Sequence, residues 1–334
     1  MVETAVIILN WNGVELLRQF IPRVIANTPE EIARIIVADN GSTDDSIQWL
    51  QQNYPSVEII SFNENHGFAE GYNLAIEQLS NYKYIVLLNS DAAPAKGWMT
   101  PLLQVLSRPE VVAAQPKILS ERNHDFFEYA GAAGGFLDCN GYPYCRGRIF
   151  ETVEEDLGQH NTETPIFWAS GAALAVKRAA YIEAGGLDRL FFAHMEEIDL
   201  CWRLQLHGGR ILYCPRSVVY HLGGASLDSS SPQKTYLNFR NNLLMLHKNL
   251  PVGKEKDSKL FRRRLLDTLA WGSFIVKGKF KHASAILKAH KDFKKMRGNY
   301  RSFPSQDLLK NSRPVNILSN YYLKGNRTFD KLSY

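Results

Sequence analysis

Four short polar segments in this chain each follow an apolar, β-branched run. Asn10-Trp11-Asn12-Gly13 follows Ala5–Leu9, Asp39-Asn40-Gly41-Ser42-Thr43-Asp44 follows Arg34–Ala38, Asn63-Glu64-Asn65-His66-Gly67 follows Val57–Ser61, and Asn89-Ser90-Asp91 follows Tyr84–Leu88. Asn, Asp and Gly dominate turns for backbone reasons, so one such segment would be ordinary turn chemistry. Four in succession are harder to dismiss, because parallel sheets bind ligands at the carboxyl ends of their strands. A second concentration of chemistry is Glu196-Glu197-Ile198-Asp199, where a carboxylate could take a proton from a hydroxyl. On a helix Asp199 and Arg203 are i, i+4 neighbours, which predicts a salt bridge, and Ile198 and Trp202 then face the core. There is no GxGxxG or GxxxxGK segment, which argues against a dinucleotide dehydrogenase or a P-loop enzyme.

The elements that must position these groups are legible as alternating strands and helices, the pattern of a parallel sheet. Leu17, Phe20, Ile21, Val24 and Ile25 form one helical stripe, with a kink expected at Pro22 and a capping start for the next helix at Ser42 and Asp45. Residues 120–165 lose this periodicity and read as hairpins and loops. Order returns at Ile166–Val176. A helix is predicted over Glu196–His207, closed by Gly208-Gly209, then a strand over Arg210–Cys214, and from Pro232 the pattern is helical and increasingly basic.

With 334 residues, 45% hydrophobic and 22% charged, the chain has the composition of one large globular α/β domain with an appended segment. Its net charge of +5 hides an asymmetry: residues 1–250 hold 19 Lys and Arg against 28 Asp and Glu, and residues 251–334 hold 20 against 6. The last quarter therefore carries +14, which suits an anionic partner or a solvated basic face. Cys139, Cys145, Cys201 and Cys214 form no CxxC pair, so neither a zinc site nor a disulfide framework is expected, and a reducing compartment is. No leader-like or membrane-spanning apolar run is present in the sequence, and the expectation is a cytoplasmic protein.

Seven segments, VIILNWNG (6–13), VADNGSTDDS (37–46), NHGFAEGYN (65–73), YIVLLNSDA (84–92), SGAALAVKR (170–178), GGLDRLFFAHMEEIDLCWR (185–203) and HLGGAS (221–226), occur in an order and spacing that resemble the family 2 glycosyltransferases of the GT-A fold, particularly their rhamnosyltransferase-like branch. The resemblance ends near Arg240-Asn241-Asn242. It implies a Rossmann-like, mostly parallel sheet with helices on both faces and a C-terminal helical extension. The expected division is a catalytic domain over 1–235, with a nucleotide-sugar half (1–117) and an acceptor half (118–235), followed by a basic extension over 236–334.

The implied roles follow position by position. Asp39 would hydrogen-bond the base, with Asn10 and Asn12 beside the nucleoside. Asn65, Gly67, Gly71 and Asn73 would approach phosphate oxygens or the ribose. Asn89-Ser90-Asp91 stands at the DxD position, with Asp91 the carboxylate for Mg2+ or Mn2+ and Asn89 a departure from the strict pattern. His221 would add a metal or diphosphate contact. Trp168, Ser170 and Gly171 would floor the sugar, and Glu197, where the family usually carries Asp, falls at the base position, with Glu196 and Asp199 as the alternatives.

The implied reaction is inverting transfer of a sugar from a nucleotide-diphosphate sugar, UDP- or dTDP-linked, to a carbohydrate or lipid-linked glycan acceptor in surface polysaccharide assembly. A catalytically impaired nucleotide-sugar-binding subunit and a sugar-phosphate nucleotidyltransferase are the alternatives. No nucleic acid is expected, and homodimerisation is left open. Leu265, Leu266, Leu269, Trp271, Phe274 and Ile275, near Arg262-Arg263-Arg264 and Lys277, Lys279 and Lys281, suggest an interfacial helix on the cytoplasmic face of an anionic membrane, with packing against the catalytic domain or a second subunit as the alternative.

Overall fold

The computed structural model describes residues 2–223, 231–301, 303–310 and 315–333. Strands β1 (Thr4–Asn10), β2 (Arg34–Asp39), β3 (Glu58–Ser61) and β4 (Tyr84–Asn89) alternate with helices α1 (Val14–Asn27), α2 (Ser46–Asn53) and α3 (Gly67–Gln78). There follow β5 (Ala92–Pro94), α4 (Met99–Leu106), β6 (Val111–Ser120), four short strands β7 (Gly135–Leu137), β8 (Pro143–Cys145), β9 (Arg148–Ile149) and β10 (Thr152–Val153), then β11 (Thr164–Pro165) and β12 (Ala173–Lys177). The chain continues through α5 (Arg178–Glu183), α6 (Glu196–Leu206), β13 (Arg210–His221), α7 (Pro232–Asn249), α8 (Lys254–Val276) and α9 (Phe280–Met296).

The main sheet runs β11-β13-β6-β12-β4-β1-β2-β3, with β5 added on β13. β3, β2, β1 and β4 are mutually parallel, as are β6 and β13, whereas β12 enters antiparallel between β4 and β6. Side chains alternate across a strand, so each strand serves two cores. Ile7, Ile36 and Leu87 pack with Tyr72 of α3, Trp202 of α6 and Leu243 of α7 on one face. Val6, Val37 and Val86 pack with Leu17 and Ile21 of α1, Leu50 of α2 and Leu102 of α4 on the other. The stripe expected on α1 is buried at Leu17, Phe20, Ile21 and Val24, and Pro22 sits within one uninterrupted helix.

The irregular region forms the second, antiparallel sheet β10-β9-β8-β7. Its Tyr144 and Ile149 pack with Val315, Ile317 and Leu332, so the chain's last segment returns to cover it. Two local expectations change. The start of α2 is capped by Asp44, whose Oδ1 accepts from the Ser46 amide at 3.1 Å, while Asp45 makes no capping bond and Ser42 turns toward Asn10 and Asn12. The strand begun at Arg210 runs to His221; it has irregular registers between Arg210 and Ile211 and between Cys214 and Val218, and the second lies at Pro215 and Arg216, where the pattern had suggested an end.

Candidate active site

Register brings the strand-end groups together. Asn10 pairs with Asp39 across β1 and β2, and Leu9 with Asn89 across β1 and β4, so three polar residues end adjacent parallel strands at one edge. Antiparallel β12 starts at that edge, since Ala173 lies opposite Leu88, and the Asn89 amide donates to Ala172 O at 3.0 Å. His221 lies opposite Ala92, which sets it beside Asp91.

On the nucleotide side, Asn10 Nδ2 donates to Asp39 Oδ1 (2.9 Å) and to Ser42 Oγ (3.1 Å), and the Ser42 amide donates to Asp39 Oδ2 (3.1 Å). Asn10 Oδ1 is sealed from solvent and has no hydrogen-bond partner, an acceptor held ready for a donor. Asn12 takes φ +48° and ties the two loops, with its amide on Ser42 Oγ and its Oδ1 accepting from the Thr43 amide. The indole of Trp11 is exposed beside them.

The loop after β3 is more committed than its sequence suggested. Asn40, to which the sequence assigned no role, donates through Nδ2 to Asn65 Oδ1 and Gly67 O, each at 3.0 Å, and accepts from the His66 amide. The Gly67 amide donates to Asn65 Oδ1, and the Phe68 and Ala69 amides to Phe192 O. The first amides of α3, offered by the sequence to phosphate oxygens, are thus already engaged within the protein. A Cβ on Gly67 (φ +78°) would meet the Phe192 ring, and one on Gly71 would meet Leu9 and Asn40. Asn73 lies mid-helix rather than at its start, with Oδ1 accepting from Tyr181 Oη and the Leu187 amide and Nδ2 donating to Leu187 O. These four residues brace the site from behind.

Asp91 and His221 form the third cluster. His221 Nε2 stands 3.0 Å from Asp91 Oδ1 and 3.2 Å from Asn89 Nδ2, and Nδ1 is 3.1 Å from Glu128 Oε2, outside good hydrogen-bond alignment. Burial opposes charge on His221, but the carboxylates of Asp91 and Glu128 prevail and push it up to about 10. Burial likewise works against the Asp91 charge, and His221 holds its carboxyl below the usual range. Glu128 lies in the irregular region, where no sequence pattern marked it; it also packs on Gly223, whose added Cβ would fall 2.6 Å from Oε1. Gly224–Ser226 of the HLGGAS segment lie outside the described residues.

Among the described residues no group of three or more His, Cys, Asp or Glu is arranged to hold a metal ion. The donor set still fits a divalent cation that takes few protein ligands and completes its shell with phosphate and water. Asp91 Oδ1 and His221 Nε2, 3.0 Å apart, are close enough that both would serve one such ion.

The acid cluster opens α6. Glu196 is buried, and Oε2 of both Glu196 and Glu197 is sealed without a hydrogen-bond partner. Glu197 keeps some exposed surface as a residue, although its Oε2 is enclosed. Burial pushes Glu197 up to about 7; burial and the neighbouring Glu197 charge put Glu196 well above the carboxylate range. Two carboxyls so placed divide into a protonated partner and one that ionises near neutrality.

Asp199 differs. Its Oδ1 accepts from Asn249 Nδ2 (2.7 Å), and its Oδ2 from Arg203 Nε and Lys248 Nζ (2.9 Å each). Burial would raise it, yet the Arg203 and Lys248 charges hold it low. The expected Arg203 bridge is therefore present, and Ile198 and Trp202 are buried as expected.

Gly171 connects this cluster to the strand edge, since a Cβ there would sit 3.3 Å from Phe68 and 3.8 Å from Glu197 Cβ. Ser170 is buried, with its amide on Gln115 Oε1. Trp168 is buried against Gly135 and donates to Phe136 O at 2.9 Å. Ser90 stands half-exposed beside Asp91.

A sequence model of the family described as "Glycosyl transferase family 2" matches residues 5–183, more than half of the chain. The chain belongs to that family. Among its relatives, this family 2 glycosyltransferase is 29% identical over 223 residues to the N-acetylglucosaminyl-diphospho-decaprenol L-rhamnosyltransferase of Mycobacterium tuberculosis, covering 61% of this chain and 71% of that one. GalNAc-T7, crystallised with UDP, GalNAc and Mn2+, matches with a TM-score of 0.58 and 17% identity over 79% of this chain and 54% of that chain, so the present chain spans about half its length. The mannosyltransferase PcManGT of Pyrobaculum calidifontis, in complex with GDP-Man and Mn2+, matches with a TM-score of 0.54 and 14% identity, covering 89% and 83%. At these identities the two structures bear on the fold, which is that of the GT-A glycosyltransferases.

Proposed function

We propose that this family 2 glycosyltransferase moves one hexosyl unit from a UDP- or dTDP-sugar to a carbohydrate acceptor, with inversion. The observation that carries the reading is the convergence at one sheet edge of Asp39 with Asn10, of Asp91 with His221, and, across Gly171, of Glu197, whose Oε2 has no hydrogen-bond partner. Asp39 accepts from the base N–H while Asn10 offers its unused oxygen. Asp91 and His221 would hold Mg2+ or Mn2+, which when bound would offset the charge growing on the departing diphosphate. Asn89 and Ser90 border the ribose and diphosphate.

Glu197, ionised near neutral pH, takes the proton of the acceptor hydroxyl as its oxygen bonds to the anomeric carbon. The bond to the diphosphate oxygen breaks on the opposite side, so the configuration inverts. Glu196, kept protonated, leaves Glu197 as the ionising partner, and Asp199 fixes α6 against α7. The catalytic unit on this reading is residues 1–235, with 236–334 an extension. The acceptor is a lipid-linked glycan in surface polysaccharide assembly, met at the cytoplasmic face of a membrane.

The test is to incubate the chain with UDP- and dTDP-sugars, Mg2+ or Mn2+ and saccharide acceptors, and to determine the product's anomeric configuration by NMR. An inverted glycoside supports the proposal. Donor binding without transfer to any acceptor would favour a binding subunit, and pyrophosphate release from a nucleoside triphosphate a nucleotidyltransferase.

A further inference from the structure

Helix α8 is packed inside out. Its buried residues are Lys256, Arg263 and Asp267, and Arg263 and Asp267 are 4% and 0% exposed. Arg263 Nε donates to Asp267 Oδ1 at 3.0 Å, His290 Nε2 of α9 lies 3.0 Å from Asp267 Oδ2, and the Arg263 guanidinium covers the Tyr142 ring at 3.6 Å. The polar side of the helix is thus fastened to the body of the protein. The opposite side carries Phe261, Leu265, Leu269 and Val276, whose i, i+4, i+8, i+15 spacing makes one stripe. They are exposed, Leu269 to 71% and Val276 to 89%. Phe280, at the start of α9 just past the turn, is 64% exposed.

A contiguous apolar strip on a surface marks a contact with something else. Charge identifies it. Exposed Arg262 and Arg264 border the stripe, and exposed Lys277, Lys279 and Lys281 surround Phe280 at the turn. A second copy of the chain would set one basic rim against another, which disfavours association. An anionic bilayer complements both features, taking the apolar stripe among its acyl chains and the rim among its headgroups. Among the described residues no helix is long and apolar enough to cross a membrane, so the helix would lie along the surface.

We propose that the Phe261–Val276 face of α8 and the Lys277–Lys281 turn form a docking surface for an anionic lipid bilayer. This deepens the reading of a membrane-borne acceptor and gives it an address. The six apolar residues named from sequence as the interfacial set are thereby re-sorted. Leu265, Leu269 and Ile275 are exposed, Leu266, Trp271 and Phe274 are only partly so, and Phe261, Val276 and Phe280 join the face.

Co-sedimentation of the full chain with phosphatidylcholine vesicles, with and without phosphatidylglycerol, tests the surface without reference to catalysis. Binding should require phosphatidylglycerol and fall at least ~10-fold when salt is raised to about 0.5 M, where charges on an exposed surface are screened. Two variants at exposed positions, Leu269→Glu with Val276→Glu, and Lys277→Glu with Lys279→Glu and Lys281→Glu, should each weaken binding ~10-fold while leaving the circular dichroism spectrum and transfer to a water-soluble acceptor unchanged. Absence of binding, equal binding to neutral vesicles, or a dimer that the Leu269→Glu, Val276→Glu variant converts to monomer without changing vesicle binding would each overturn the proposal. Absence of vesicle binding by the unaltered chain, with transfer intact, refutes the docking surface alone; docking of the unaltered chain without transfer refutes the transferase reading alone.

Discussion

Asn241 Nδ2, on α7, lies 2.7 Å from His194 O and within 3.0 Å of Ala193 O and Phe191 O. An amide nitrogen has two hydrogens to share among these three carbonyls, and it spends them on the segment immediately before Glu196. That segment carries three non-glycine residues with positive φ: Phe192 (+67°), His194 (+69°) and Met195 (+73°). Each costs of order 1–3 kcal/mol and persists only where its surroundings over-determine it. Arg240 completes the clamp by donating to Leu190 O and Phe191 O.

Asn241→Ala should therefore act on the acid cluster from a distance. Removing the amide leaves buried carbonyls unpaired, and the expected loss of stability is about 1–3 kcal/mol, read from chemical denaturation. If the clamp positions Glu197, kcat should fall while donor affinity changes little, and a variant that alters both equally would assign Asn241 a purely structural role.

Glu197→Gln should lower kcat by ~10²–10⁴-fold with donor binding nearly unchanged, as when a proton acceptor but no binding group is lost. Asp199→Asn should behave differently, because Asp199 is held by Arg203, Lys248 and Asn249. Its main effect should be on stability, since it leaves two half-buried cationic partners short of a charge.

The pH dependence follows from burial. Glu197 ionises at about 7, so transfer should rise with pH through that value and then level, and Glu197→Gln should abolish the rise. Stability runs the other way. A carboxyl raised from 4.5 to about 7 in the folded chain binds protons more tightly there than when unfolded, so its contribution is full below about 4.5 and is lost as pH climbs to about 7. Glu197→Gln should then stabilise the ligand-free protein at pH 8 by on the order of 3 kcal/mol relative to its effect at low pH, measured by urea denaturation at both values.

Asp91 is buried and paired with His221. Deleting the carboxylate would leave the His221 charge facing Glu128 alone, so Asp91→Asn, which keeps the shape, is the informative change. It should remove Mn2+-dependent binding of a nucleoside diphosphate in calorimetry while circular dichroism stays unchanged, and unaltered metal-dependent binding would displace Asp91 from the metal role.

Much of the scaffold was legible because burial imposes a period. The spacing of Leu17, Phe20, Ile21 and Val24 identified α1 and its buried face, and the apolar runs identified the first four strands within a residue or two. The polar strand ends were legible for the same reason: parallel strands must present them at one edge. Glu128 was not, since it reaches His221 from a region without periodicity, and only the folded chain joins them. Asn40 was equally silent, and Arg240 and Asn241 were marked only as the end of the resemblance, because a side chain that braces a loop has no sequence signature beyond its neighbours. The glycines at 67 and 71 were legible as sites of close approach, but what approaches is Phe192, Leu9 and Asn40. Helix α8 was legible in part: its apolar residues suggested an interfacial helix or a packed one, but nothing in their spacing showed that Arg263, Asp267 and His290 would make the interior face polar.

The most direct test of the central claim is a single-turnover assay of the chain and its Glu197→Gln variant with a UDP- or dTDP-sugar, Mn2+ and a saccharide acceptor at pH 8. The account predicts one nucleoside diphosphate released per inverted glycosidic bond formed, with the variant ~10²–10⁴-fold slower at equal donor occupancy. Transfer by the variant at the unaltered rate, or a product that retains the donor's configuration, would contradict it.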